Sequence, residues 1–232
     1  MATEREILKA IDDGIWVVET PLRFLGIPAG RRMTVVRLAD GALWIHSPAE
    51  LTPAVRSALE SAGPPRFVVA PTAVHGHLSM GEYRDAYPDV ELHAAPILDR
   101  RRKDLSFDAI LGSTPDGRWA DALDQTIFQG HLVPEVVFFH RASRTLILAD
   151  LLMNPPVSND MAPGARLVWR LEDLHGEPGT SRTMRIGTRN RRAARRSVER
   201  ILEWDFDRII LGHGRNVESG GRAVFERAMS WL

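Results

Sequence analysis

The 232-residue chain contains no cysteine, which excludes disulfides and thiolate metal ligands together. Lysine is nearly absent too: Lys9 and Lys103 are the whole supply, and arginine carries the remaining positive charge. That skew reads as genomic base composition rather than chemistry. Excess charge of either sign is missing, because 30 basic and 30 acidic residues cancel. No nucleic-acid or membrane partner is therefore expected. No apolar run approaches the ~20 residues that span a bilayer. The opening residues, MATEREILKAIDDGIWVVET, scatter charges where a signal peptide needs an apolar segment. A cytoplasmic location is the resulting expectation. No linker or low-complexity segment breaks the chain, so residues 1–232 are expected to form a single domain, at a length ordinary for one α/β unit.

What is present suits a globular protein with a real core: 44% of residues are hydrophobic and 26% charged. Short β-type runs alternate with helical patterns. Residues 14–19, 32–38 and 42–47 read as strands, with Asp40-Gly41 turning the second into the third. Thr52 opens a helix with Pro53 at its first position and Gly63 at its stop. Residues 66–71 and 91–96 are strand-like, 81–88 a short helix and 97–105 a charged helical piece. Further on, 126–130, 135–140, 145–152 and 208–214 read as strands, 182–204 as one helix and 220–232 as a terminal helix. Residues 153–181 carry Pro and Gly clusters with little periodicity, which reads as a long loop of the functional kind. Strands in two sets, each followed by helices, suggest two packed sheets with helices outside; alternation alone would equally fit a doubly wound sheet.

The histidines fall at informative places. The strand at 66–71 runs into Thr72-Ala73-Val74-His75-Gly76-His77. On an extended segment, histidines at i and i+2 point to one side and can converge on one ion. His131 follows a glycine after the next strand set, Asp150 ends the apolar run TLILAD, and His213 stands between glycines after RIIL. Each lies where a strand hands over to a loop, the usual place for an α/β site. A lone histidine is by default a surface or satisfied residue. His46, His93, His140 and His175 belong to that class, with His140 expected in solvent and His46, which also ends a strand, placed to support a site from behind. The joint pattern outweighs the default: three strand-end histidine sites accompany a carboxylate that an apolar run would otherwise bury unpaired.

This order of motifs resembles the metallo-β-lactamase superfamily. Its first motif, THxHxDHxxG, aligns without a gap with TAVHGHLSMG at 72–81. Its middle histidine matches His131, its metal-bridging carboxylate Asp150 and its last histidine His213. The phrases RMTVVRLADGALWIHSP and EVVFFHRASRTLILADLL resemble one branch of it, catalogued as a domain of unknown function. The resemblance implies an α/β fold, a four-layer αβ/βα sandwich. The chain departs from the motif at Ala73 and Leu78, which replace histidines, and at His77, which replaces an aspartate. Each of two metal positions has thereby lost an imidazole, so one divalent transition-metal ion per chain is implied rather than a pair. Zinc leads, with iron or manganese also compatible with imidazole and carboxylate ligands.

The implied site draws its metal ligands from His75, His77, His131, Asp150 and His213, with His75, His131 and Asp150 as the main set. His77 and His213 would be the catalytic proton carriers. The implied activity is metal-dependent hydrolysis of a small-molecule ester, lactone, thioester or phosphoester by a metal-bound hydroxide. Loop 153–181, with Leu167 and Trp169, would cover the site. The alternative is a non-catalytic descendant that uses the pocket for binding. Arg185, Arg189, Arg192, Arg196 and Arg200 recur at helical spacing, and a balanced total charge makes them a solvated helix face, helped by pairs such as Arg195 with Glu199.

Overall fold

The computed structural model describes residues 7–24, 27–157 and 161–232. Its first sheet begins with β1 (Lys9–Asp12), β2 (Ile15–Thr20), β5 (Arg31–Arg37) and β6 (Leu43–His46), paired antiparallel in that order. A two-stranded ribbon, β3 (Arg23–Phe24) with β4 (Ile27–Pro28), lies between β2 and β5 in sequence. The β5–β6 turn is the expected one: Gly41 takes φ +85°, and the Asp40 side chain accepts from the Ala42 N–H. Helix α1 (Pro53–Ala62) then carries the chain over the sheet; the Thr52 hydroxyl accepts from the Val55 N–H and caps it. Such a crossover permits the next pairings to be parallel. β7 (Pro65–Ala70), β8 (Glu91–Ala94) and β9 (Ala109–Ile110) add on in this way, with helices α2 (Met80–Ala86) and α3 (Leu98–Arg101) between them.

The second sheet orders β10 (Leu123–Phe128), β11 (Glu135–His140), β12 (Thr145–Leu148) and β13 (Arg208–Leu211), with β13 parallel to β12. Helices α4 (Pro163–Leu171), α5 (Arg182–Gly187) and α6 (Arg191–Ile201) fall between β12 and β13, and α7 (Gly221–Met229) follows β13.

Alternation along the strands sorts the side chains into three apolar layers. Trp44, Phe67 and Val69 of the first sheet meet Val136, Phe138 and Ile147 of the second. Outside the first sheet, Val35, Ile45 and Val68 pack against Val55 and Leu59 of α1 and Tyr83 of α2. Outside the second, Val137, Leu146 and Ile209 pack against Ala194 and Ile201 of α6 and Phe225 of α7. The architecture is the αβ/βα sandwich that the resemblance implied, and the doubly wound alternative is excluded because the strands form two facing sheets.

Three expectations are corrected. The segment 153–181 is not loop throughout: Pro163 starts α4, whose Ala165 and Trp169, one turn apart, bury against Ile27 and Ala29. Tertiary packing there overrides a composition poor in periodicity. The expected helix over 182–204 is two helices. Ser181 caps α5 and Asn190 caps α6, each through its side chain, and Arg185 thus stands on a different helix from Arg192, Arg196 and Arg200. Arg195, expected to pair with Glu199, donates instead to the Leu232 carbonyl oxygen. Ala194 and Ile201 do form the buried face of α6. Among the described residues, no helix is long and apolar enough to cross a membrane.

Candidate metal centre

β12 and β13 pair side by side in the second sheet. The segment leaving β7 reaches that sheet at the start of β11, where Thr72 bridges to Glu135 and the Pro71 carbonyl accepts from the Val136 N–H at 2.8 Å. Asp150 follows β12 directly, and its neighbourhood is held from below by Glu135 at the start of β11. Both Glu135 carboxylate oxygens accept backbone hydrogen bonds there, from Ala149 N–H at 2.8 Å and Asp150 N–H at 2.7 Å. Burial, then the nearby Asp150 charge, pushes the Glu135 carboxyl up to about 8.

His213 owes its position to the glycines on either side. A Cβ on Gly212 would come within 2.5 Å of the Ala149 carbonyl oxygen, and one on Gly214 within 1.9 Å of the Asn154 carbonyl oxygen. Gly214 also has φ +81°, a region costly to other residues. The buried Arg32 guanidinium ties this turn to the first sheet, donating to the carbonyls of Leu211 and, at 2.8 Å, Gly214. Gly214→Ala is therefore expected to destabilise the protein by at least ~2 kcal/mol, from φ strain plus backbone overlap. Denaturant unfolding measures this, and an unchanged midpoint would contradict the geometry.

Three of the five candidate ligands come together. Ligand atoms of His75, Asp150 and His213 lie within 4.8 Å of one another. Asp150 Oδ1 is 3.1 Å from His213 Nε2 and 3.4 Å from His75 Nδ1. The other His213 nitrogen, Nδ1, is 2.6 Å from the Gly30 carbonyl oxygen. A carbonyl only accepts, so Nδ1 carries the hydrogen. Nε2 of the neutral ring then turns a bare lone pair toward a carboxylate oxygen. That contact is repulsive unless a proton or a cation sits between the two atoms. A proton can fill that place: burial opposes the charge on His213, but the Asp150 hydrogen bond and charge outweigh it and raise its pKa. Burial would likewise raise Asp150, yet the hydrogen bonds from His213 and His75 hold it well below the usual carboxylate range. Asp150 Oδ2 is buried with no hydrogen-bond partner among the described residues.

His77 and His131 are placed differently. The i, i+2 argument for His75 and His77 needs an extended chain, but residues 73–79 run as bends and turns, with Leu78 N–H donating to the His75 carbonyl. His77 turns toward Arg102, which donates to its Nδ1 and its carbonyl, both at 3.0 Å. Burial, the Arg102 charge and His75 all lower its pKa. His131 borders the same cavity. Its Nδ1 lies 2.7 Å from the Val133 carbonyl oxygen, and a Cβ added to Gly187 would meet its Nε2 at 2.2 Å. The ring edge thus packs on Gly187, at the end of α5.

Of the histidines set aside, His175 is exposed and pairs with Asp173. His93 is buried beside Trp119 and 3.2 Å from Glu91. His140 is corrected: it is buried rather than solvated, with Nδ1 2.7 Å from Ser143 Oγ, because the turn after β11 folds back over it. His46 is fully enclosed, neither ring nitrogen has a partner among the described residues, and burial depresses its pKa to about 3. Gly30, Glu135 and Arg32 were missed by sequence reasoning. Of these only Glu135 left a trace, as a carboxylate opening an apolar strand.

In front of the cluster lies a cavity of about 240 Å³. Leu22 and Ala29 wall it from the β3–β4 side, Trp169 and Leu174 from α4 and its end, and Met184 from α5. Trp169 is buried there as expected of a covering segment, while Leu167 is exposed.

No curated protein matches the sequence. Among solved structures, a metallo-beta-lactamase from Pontibacter korlensis aligns with a TM-score of 0.64 at 10% identity, over 97% of this chain and 99% of that one. One from Erythrobacter litoralis gives 0.64 at 14%, over 97% and 96%. A flavo di-iron protein variant from Thermotoga maritima gives 0.64 at 14%, over 94% of this chain and 60% of its own. Identities this low carry the fold alone. A family model described as "Domain of unknown function (DUF4336)" matches residues 12–167, well over half the chain, including His75, His131 and Asp150. The chain therefore belongs to the DUF4336 family, built on the metallo-β-lactamase fold.

Proposed function

We propose that His75, Asp150 and His213 hold one divalent transition-metal ion and that the protein is a metal-dependent hydrolase of a small ester, lactone, thioester or phosphoester. The observation that carries this reading is the Asp150–His213 contact, in which a lone pair already fixed by Gly30 faces a carboxylate oxygen at 3.1 Å. A histidine that ligates a metal characteristically donates its other N–H to a carbonyl, as His213 does. The buried, unpartnered Asp150 Oδ2 fits the same reading, since an ion would engage that carboxylate. Two imidazoles and a carboxylate suit zinc, iron or manganese.

A bound ion would supply Lewis-acid polarisation of a carbonyl or phosphoryl oxygen and acidify water. The chain's own residues do the rest. Gly30 fixes the His213 tautomer, and Glu135 holds the Asp150 backbone. The cavity excludes bulk water from one side of the cluster. Arg102 donates to His77 Nδ1, so the neutral His77 ring carries its hydrogen on Nε2 and can donate a hydrogen bond from there.

A non-catalytic, ligand-binding protein is the competing reading. It is favoured by the engagement of His131 and His77 with Val133, Gly187 and Arg102, which leaves the cluster three side chains. Titration of chelator-treated protein with Zn²⁺ or Co²⁺ is expected to saturate at one ion per chain. His77→Ala should weaken that binding less than tenfold, below the ~10–100-fold typical of outer-shell losses. A two-ion endpoint contradicts the three-residue site. One bound ion with no turnover across esters, lactones, thioesters and phosphodiesters favours the binding role.

A further inference from the structure

The cavity beside the cluster has a composition that selects among the substrate classes above. Away from His75, Asp150 and His213, its wall is chiefly hydrocarbon, with Ala29, Met153, Trp169, Leu174 and Met184 drawn from separate segments. Of its polar wall groups, Glu172, Thr183 and Ser181 are engaged locally, whereas the buried Trp169 Nε1–H has no hydrogen-bond partner among the described residues. The Glu172 oxygens accept from Thr183 N–H at 3.0 Å and Thr183 Oγ at 2.7 Å, and Ser181 Oγ accepts from Met184 N–H. Among the described residues, no lysine or arginine lines it. The volume, about 240 Å³, is roughly that of eight liquid waters at ~30 Å³ each. Apolar side chains continue outward from the lining: Val74 is 39% exposed, Leu132, next to His131, 63%, and Ile186, two residues from Met184, 64%. The Leu132 N–H donates to the Gly187 carbonyl at 3.0 Å, which joins the last two into one stretch of surface.

We infer that the substrate is a neutral carboxylic ester or thioester whose hydrocarbon acyl chain fills this cavity, with its carbonyl at the His75–Asp150–His213 cluster. This rests on the metal-dependent hydrolase reading and narrows it. Water adds across the acyl C–O or C–S bond, the acyl carbon keeps the hydroxyl, and the alcohol or thiol leaves with a proton. An anionic group placed deeper in the cavity would be buried near the Glu172 carboxylate with no lysine or arginine among the described lining residues, which is costly. Hydrocarbon there is favoured by about 0.8 kcal/mol for each methylene buried.

The test uses a neutral, slowly reacting stand-in, octanamide, against acetamide and octyl phosphate, by calorimetry on chelator-treated protein. Octanamide is expected to bind about a hundredfold or more tighter than acetamide, and tighter than octyl phosphate. Val74→Arg, at the open side of the cavity, should weaken octanamide and strengthen octyl phosphate. Octanamide and acetamide binding within tenfold of each other, or octyl phosphate binding tightest to the parent, overturns the inference. A separate Co²⁺ titration keeps the two readings apart. Lost Co²⁺ binding with octanamide binding kept sinks the metal site alone, and the reverse sinks the acyl cavity alone.

Discussion

Asp150→Asn is expected to lower divalent-metal affinity by more than about a hundredfold, beyond the ~10–100-fold cost of losing a group outside the ligand set. Asparagine keeps the shape and removes the only formal negative charge in the cluster of His75, Asp150 and His213. It also removes what raises the His213 pKa, since the hydrogen bond and charge of Asp150 are the leading favourable causes. In the metal-free variant, His213 should therefore titrate below its value in the parent, visibly in an NMR pH titration. In the parent, a metal must displace the proton that Asp150 and His213 share. Binding should thus release a proton and weaken as pH falls through the raised His213 pKa. The variant loses that linkage along with the affinity. Parent-like affinity in Asp150→Asn would place the ion elsewhere on the chain.

Much of this centre was legible because it depends on backbone order. His75, Asp150 and His213 each follow an apolar run that becomes a strand, β7, β12 and β13 respectively. The adjacent register of β12 and β13 brings Asp150 and His213 together, and the bridge from Thr72 to Glu135 carries the segment after β7 to the same place. What escaped sequence reasoning depends on local geometry or distant backbone. His77 leaves the cluster because turns replace the extended chain that would align it with His75. The tautomer of His213 is set by the carbonyl of Gly30, 183 positions away, and a backbone acceptor has no side-chain signature. Helix α4 was hidden because its stability comes from Ala165 and Trp169 packing on the β3–β4 ribbon, not from a long periodic stretch. Glu135 looked like a strand's polar first residue, while its function, two bonds to the Asp150 turn, exists only across strands β11 and β12.

His46 belongs by default to the residues without a role, yet it is the basis of a large expected pH effect on stability. It ends β6 with its ring packed against both Trp44 and Phe138, at centroid distances of 5.8 and 5.7 Å. It is 1% exposed, and neither nitrogen has a partner among the described residues. Burial depresses its pKa from 6.5 to about 3. Between those two values the unfolded chain binds a proton at this residue and the folded chain does not. Stability from this group is therefore lost as pH falls from 6.5 toward 3, by about 3 kcal/mol at pH 4.5. Glu135 and His213 work in the opposite direction: their pKa values are raised, so their contribution grows on acidification and is lost as pH rises through the folded values. The parent's own profile mixes these slopes, but a difference between two proteins separates them. His46→Leu removes the titrating ring and two unpaired buried nitrogens while leaving Glu135 and His213 in place. Chelator-treated His46→Leu should be at least as stable as the parent at pH 7. Its advantage should widen by about 3 kcal/mol at pH 4.5, read from urea unfolding at both pH values. A gap independent of pH would mean that His46 takes up its proton in the folded protein as readily as in the unfolded chain.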